Sequence, residues 1–286
     1  MSISYFAECT VLITGASAGI GREFARQLAP VVQTMVLVAR RSDRLEALEL
    51  ELKVINPDLE VFWRPVDLRD HGAVERFCDW LDDSGLGVDL LINNAGLGDY
   101  GAFADSEWER IEAMLKVNIE SLTYLTYRLL PRMRRAGSGA ILNVSSSAGF
   151  LPLPDMAVYA ASKAYVISLS EAVRAELRNA NISVTVLCPG PVPTEFADVA
   201  DRSGQGDLSA VVPEIFTVAV QDVVRDALNG VARDRARVVP GMVVNLGMTV
   251  VAFLPIFVKR LYYQIRLAQA RRPSGTTRGH PVMETR

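Results

Sequence analysis

Residues 10–14, Thr-Val-Leu-Ile-Thr, form an aliphatic, β-branched run that passes straight into Gly15-Ala-Ser-Ala-Gly19-Ile-Gly21 and then into helix-like sequence over residues 22–28. Strand, glycine turn and helix in direct succession make a phosphate cradle. Glycine permits a tight turn and close backbone approach, while free N–H groups and the helix dipole favour an anion. Gly15, Ser17, Ala18, Gly19, Ile20 and Gly21 are therefore candidate cofactor contacts. Further strand-like runs at residues 34–38, 60–63, 88–92, 139–144, 182–187 and 237–239 alternate with helical patterns joined by short links. That alternation predicts an α/β fold, a doubly wound seven-stranded parallel sheet of the Rossmann type with helices on both faces.

The second run ends in Ala39-Arg40-Arg41. In a dinucleotide-binding βαβ unit this strand end meets the adenosine ribose, where an acid suits a 2′-hydroxyl and an arginine suits a 2′-phosphate. Arg40 and Arg41 thus favour NADP(H) over NAD(H), unless both are simply solvated charges opening the next helix. Ala18 stands where a basic residue would have strengthened the same preference. Asp67, just past the third strand, can accept from an adenine amino group or cap the helix that runs from about residue 70 to 84. The fourth strand runs into Asn93-Asn94-Ala95-Gly96, whose small residues and amides suit a backbone lying against a ribose and bracing neighbouring strands.

Ser106-Glu107-Trp108-Glu109 has the form of a capping box, followed by a long helix to about residue 135. Its apolar stripe is Ile111, Leu115, Leu122, Leu125 and Leu129, and Asn118 falls in the gap. A buried amide needs partners: Asn118 either braces a kink or a neighbouring helix, or holds water at an active site. Ser145-Ser146-Ser147 sits at the end of the fifth strand, where open parallel sheets place ligands. In the helix beyond it, Tyr159 and Lys163 lie four residues apart on the stripe carried on by Val166, Ser170, Val173 and Leu177, so phenol and amine share the core-facing side. Bringing a phenol from ~10 to near neutrality takes ~4 kcal/mol, which a desolvated Lys and a nearby cationic ring would supply. The sixth strand delivers Cys188-Pro-Gly-Pro-Val192-Pro-Thr194, and residues 195–216 read as a mobile lid or substrate loop.

Composition removes other classes. With 33 acidic against 30 basic side chains and a formal charge of −3, no global basic field recruits nucleic acid. Cys9, Cys78 and Cys188 form no Cys-x-x-Cys pair, and His71 and His280 are the only histidines, so a disulfide framework, a zinc site and a Ser-His-Asp triad all lack material. A reducing, cytoplasmic setting is expected, and no signal peptide is read before residue 10.

These motifs, in this order, resemble the short-chain dehydrogenase/reductase family in its compact form, over residues 10 to about 240. The family's Thr-Gly-x-x-x-Gly-x-Gly stands here as Thr14 to Gly21, its Asn-Asn-Ala-Gly as Asn93 to Gly96, its Tyr-x-x-x-Lys as Tyr159 to Lys163, and its Pro-Gly-x-Val-x-Thr as Pro189 to Thr194. The resemblance selects Ser146 from the serine triplet as the catalytic serine and Asn118 as the helix asparagine that anchors a water linked to Lys163. It implies that Tyr159 is the general acid in carbonyl reduction, that Lys163 lowers its pKa and holds the nicotinamide ribose, and that Ser146 binds the substrate oxygen. It also places Val192 and Thr194 at the carboxamide, Asp67 and Leu68 at adenine, Asn94 at the adenosine ribose, and Gly15, Ser17, Gly19 and Ile20 along the pyrophosphate. The implied partner is a hydrophobic small-molecule carbonyl or alcohol, in a homodimer or homotetramer.

Residues 238–258 carry no charged side chain, although Pro240, Gly241, Asn245, Gly247 and Pro255 interrupt them, and Lys259, Arg260, Arg266, Arg271 and Arg272 follow. A catalytic domain over residues 1–240 is therefore expected to carry a C-terminal helical extension over 241–272. That extension is a lid or subunit contact, a monotopic membrane patch, or a span. Disorder is expected from 273 to 286.

Overall fold

In a computed structural model, residues 3–202, 217–242 and 244–247 are described, with residues 257 and 260. The chain divides into two compact units, residues 1–248 and 249–286, and of the second only Phe257 and Arg260 are described. The segment 203–216, most of the apolar stretch and the tail from 273 lie outside the described residues. No helix among the described residues is long and apolar enough to cross a membrane.

Seven parallel strands form one sheet: β1 (Thr10–Thr14), β2 (Thr34–Ala39), β3 (Glu60–Pro65), β4 (Leu90–Asn93), β5 (Gly139–Val144), β6 (Ile182–Leu187) and β7 (Arg237–Val238). Their spatial order is β3-β2-β1-β4-β5-β6-β7. Every residue of β2 and β4 is buried, as expected of strands covered by helices on both faces. The order reverses between β1 and β4, and ligands bind in the crevice at the strand ends beside such a switch point.

The helices are α1 (Gly19–Leu28), α2 (Ser42–Ile55), α3 (His71–Asp83), α4 (Trp108–Leu115), α5 (Leu122–Ala136), α6 (Ala157–Glu176), α7 (Phe196–Ala200) and α8 (Val220–Ala232). One large apolar cluster fills the α1, α2 and α8 side of the sheet, with Phe24, Leu28, Leu45, Leu52, Val223 and Leu228 inside it. A second, around Val74, Phe77, Leu81, Leu125, Leu129 and Leu177, fills the side of α3, α5 and α6.

Two local readings are corrected. The capping box does not form: Ser106 Oγ accepts from Arg202 instead, and Glu107 caps α4 without a side-chain bond. The helix that follows is not uniform, because a wider π-type turn over Lys116–Ser121 joins α4 to α5. Such turns absorb an extra residue and often mark functional positions. Asn118 sits in this one, fully buried.

Candidate active site

The glycine turn is built from below by hydrogen bonds. Thr14 Oγ1 accepts from Asn94 N at 3.0 Å and Ala95 N at 3.1 Å, and Asn94 Nδ2 donates to Thr14 O at 2.9 Å and Gly15 O at 3.3 Å. Gly15 takes φ +66 and Gly19 φ +52, a region that favours glycine. At Gly21 a Cβ would collide with Gly15 O and lie 2.5 Å from Asn94 Nδ2. α1 therefore starts flush against the turn, and Ala18 at its cap offers no side-chain bond to the first N–H groups. Uncapped donors over a glycine turn fit a pyrophosphate. Asn94 spends its amide hydrogens inside this turn, so a ribose would meet its backbone.

Around this turn the other predicted cofactor residues gather unevenly. Arg41 Nη2 donates to Ser17 Oγ at 3.5 Å, and Ile20 and Val192 pack partly buried against the core. Thr194 comes so close that a Cβ on Gly19 would meet its side chain at 3.3 Å. Asp67 does not cap α3; Asp70 does, accepting from Ala73 N at 3.2 Å. Asp67 is held by Arg69 through Nε at 3.0 Å and Nη2 at 2.6 Å, and this pairing, with a smaller contribution from Arg40, keeps its carboxyl below the usual range. Leu68 beside it is buried.

Two steps along the sheet, the end of β5 and the helix α6 that follows it carry the candidate reacting groups. Ser146 accepts from Ala148 N at 3.1 Å, which caps the short turn Ser147–Phe150 and fixes its hydroxyl; from there the hydroxyl favours the ionised form of the Tyr159 phenol. Ser145 Oγ donates to Lys163 O at 2.7 Å and so ties α6 to the end of β5. Tyr159 and Lys163 lie on one side of α6, both buried, with Lys163 Nζ 5.8 Å from the Tyr159 ring centroid. Lys163 Nζ donates to Val144 O at 3.0 Å. A Cβ on Gly96 would lie 3.2 Å from that ammonium, so the Asn93 to Gly96 loop rests closely on the lysine.

In the chain alone, burial pushes Tyr159 up to about 12, with Ser146 pulling the other way. Burial also pushes the Lys163 ammonium down to about 8, with Cys188 opposing weakly. Proximity was right, but desolvation penalises both charged forms and wins at these positions.

Asn118 makes the contacts of a brace. Its Oδ1 accepts from Leu97 N at 2.8 Å, and Nδ2 donates to Leu97 O at 2.9 Å and Ser162 Oγ at 3.0 Å. The amide thus pins the loop after β4 to α6, one residue from Lys163. Beneath it runs a buried polar ladder, Asn93 to Thr126 and Asn143, and Asn143 to Ser170, joining α5, β4, β5 and α6.

Phe196, Glu195 and Asp99 were not singled out from the sequence. The Phe196 ring lies 5.4 Å from that of Tyr159, and a Cβ on Gly98 would collide with it. Asp99, buried, pairs with Arg110 at 2.9 Å and with Arg202, fixing the start of the loop beyond α7. Pairings this distant in sequence leave no local signal. Among the described residues no group of His, Cys, Asp or Glu is arranged to hold a metal ion.

The short chain dehydrogenase family model matches residues 9–203. The chain belongs to that family. As a short-chain dehydrogenase it is an oxidoreductase acting on CH–OH groups, and its nucleotide fold takes a nicotinamide dinucleotide, NAD(H) or NADP(H). It is 34% identical to sulfoacetaldehyde reductase 2 of Chromohalobacter salexigens, over 74% of this chain and 84% of that one. It is 31% identical to the ketoacyl reductase HetN of Nostoc sp., over 88% of each. A short-chain dehydrogenase from Sphingobium yanoikuyae in complex with NADPH superposes with a TM-score of 0.75 at 30% identity, covering 94% of this chain and 99% of that one. A bulky-bulky ketone specific alcohol dehydrogenase from Comamonas testosteroni gives 0.70 at 26%, covering 94% and 97%.

Proposed function

We propose that this chain is an NADP(H)-dependent reductase of ketones or aldehydes, and oxidiser of the matching alcohols, on hydrophobic small molecules. The observation that carries the reading is the meeting of Ser146, Tyr159 and Lys163 at the strand ends beside an uncapped glycine turn. Ser146 positions the substrate oxygen, and Tyr159 moves the proton to or from it. Lys163, braced through Val144 O, adds positive charge beside the phenol. A bound nicotinamide supplies the hydride and, when oxidised, a second positive charge. In such a site the high phenol pKa of the chain alone suits an acid that gives up its proton only as the substrate oxygen turns negative.

Tyr159, Met114 and Ala148 form an apolar cluster into which Leu97, Leu153, Met156, Val158 and Phe196 pack. Walls of this kind suit an apolar group on the carbonyl, in keeping with the ketones named for the Comamonas structure. Arg40 and Arg41 support NADP(H), as does the NADPH complex of the Sphingobium structure. Residues 1–240 are read as the catalytic domain, with the extension from 241 at the substrate mouth, between subunits or on a membrane.

A panel of carbonyls varied in size, run with NADPH and NADH and repeated on a chain truncated at residue 240, tests both substrate and extension. Affinities for the two nucleotides before and after Arg40→Ala test the preference. The substitution should weaken NADPH alone; equal losses, or no preference in the parent, would favour an NAD-dependent alcohol dehydrogenase. Nucleotide binding without turnover on any carbonyl would favour a silent binding module.

A further inference from the structure

We propose that Glu195 is a built-in competitor for the 2′-phosphate of the cofactor, setting how strongly this chain prefers NADP(H). The inference rests on the NADP(H) reading above. Arg41, at the entrance to α2, donates from Nη1 to Glu195 Oε2 at 3.2 Å while its Nη2 reaches Ser17 Oγ in the glycine turn. Arg44, one turn further on, donates from Nη1 to both Glu195 oxygens at 2.7 and 2.9 Å. One carboxylate therefore holds two guanidinium groups at the end of β2, where a ribose 2′-substituent falls. Glu195 arrives from the other side of the crevice, next to Thr194, whose side chain abuts Gly19.

The same donors cannot serve a phosphate and a carboxylate with equal geometry. A phosphate monoester carries more charge at neutral pH and accepts in fork-like pairs from arginine, so it would draw Arg41 away from Glu195. Arg40 stands apart: its charge acts on Asp67, and among the described residues the partners of Glu195 are Arg41 and Arg44. The two adjacent arginines are thus unequal, one beside Asp67 and one held by the acid across the crevice. A 2′-hydroxyl has no charge to exchange for the carboxylate, so Glu195 should leave NAD(H) binding nearly untouched.

All three side chains are about half exposed, so solvent limits the effect to about two- to fivefold in an equilibrium constant. The test is equilibrium titration of the full chain with NADPH, NADH, adenosine 2′,5′-bisphosphate and 5′-AMP, for the parent, Glu195→Gln and Glu195→Ala. Both variants should bind NADPH and the bisphosphate two- to fivefold more tightly, with NADH and 5′-AMP unchanged, and the gain should shrink as salt is raised. Unchanged or weakened binding of the 2′-phosphorylated pair, in a folded variant, overturns the competition. Arg41→Ala separates this from the reading it rests on: if Arg41→Ala weakens NADPH while both Glu195 variants are neutral, only the competition fails. If Arg41→Ala and Arg40→Ala spare NADPH as well, the NADP(H) preference itself fails and the competition with it.

Discussion

Lys163→Met gives the sharpest reading of how this site is held. The ammonium is buried beneath the loop of Gly96, with Val144 O as its hydrogen-bond acceptor, and burial drops its pKa from 10.5 to about 8. A drop of that size corresponds to a penalty on the order of 3 kcal/mol against the charged form in the folded chain. Below pH 8 both folded and unfolded chains carry the proton, so the folded state bears the whole penalty. Between about pH 8 and 10.5 the unfolded chain binds more protons than the folded one, and stability rises with pH. Methionine removes the penalty but leaves Val144 O unpaired, at roughly 1–3 kcal/mol, so the two chains should be similarly stable at pH 7. From pH 8 to 10 the parent should gain about 2 kcal/mol on the variant. Tyr159, pushed up to about 12, lowers stability only above pH 10 and does so in both chains. Urea unfolding of the nucleotide-free proteins at pH 7, 8, 9 and 10 measures the difference. A gap that stays constant, or that closes as pH rises, would show that the lysine is not desolvated as the packing requires.

Two other substitutions probe the same crevice. Gly21→Ala should cost tenfold or more in nucleotide affinity, read by fluorescence titration, because its Cβ would strike the carbonyl of Gly15 and the amide of Asn94 rather than a movable side-chain tip. Phe196→Ala removes the ring against Tyr159 and should shift the kcat/KM ratio of bulky over small ketones upward by about tenfold; a ratio that does not move would take Phe196 out of the substrate wall.

Much of the fold could be read directly because β1, β2 and β4 are buried on both faces and so stand out as unbroken apolar runs, each ended by a glycine, arginine or asparagine with a steric or electrostatic task. Gly15, Gly19 and Gly21 declared the turn for the same kind of reason: a Cβ finds no room at Gly15 and Gly21, and Gly15 and Gly19 take positive φ. What stayed hidden depends on packing between distant segments. The tilt of the acid–base balance toward a neutral Tyr159 and a less basic Lys163 comes from their burial, which the Tyr-x-x-x-Lys spacing does not encode. Asn118 looked like one of two things because a buried amide on a helix stripe has no partner in its own helix; its partners are Leu97 and Ser162. The pairing of Arg41 and Arg44 with Glu195 joins residues more than 150 positions apart, and it is Asp70, not Asp67, that caps α3, while Arg69 holds Asp67.

The proton-transfer role of Tyr159 is tested most directly by Tyr159→Phe, with NADPH binding and NADPH oxidation measured on the same preparation against a carbonyl the parent reduces. The phenylalanine keeps the ring against Phe196 and loses only the hydroxyl, so nucleotide affinity should stay within about twofold while turnover falls by roughly 10²–10⁴. Turnover within a few fold of the parent, with affinity intact, would mean that another group delivers the proton.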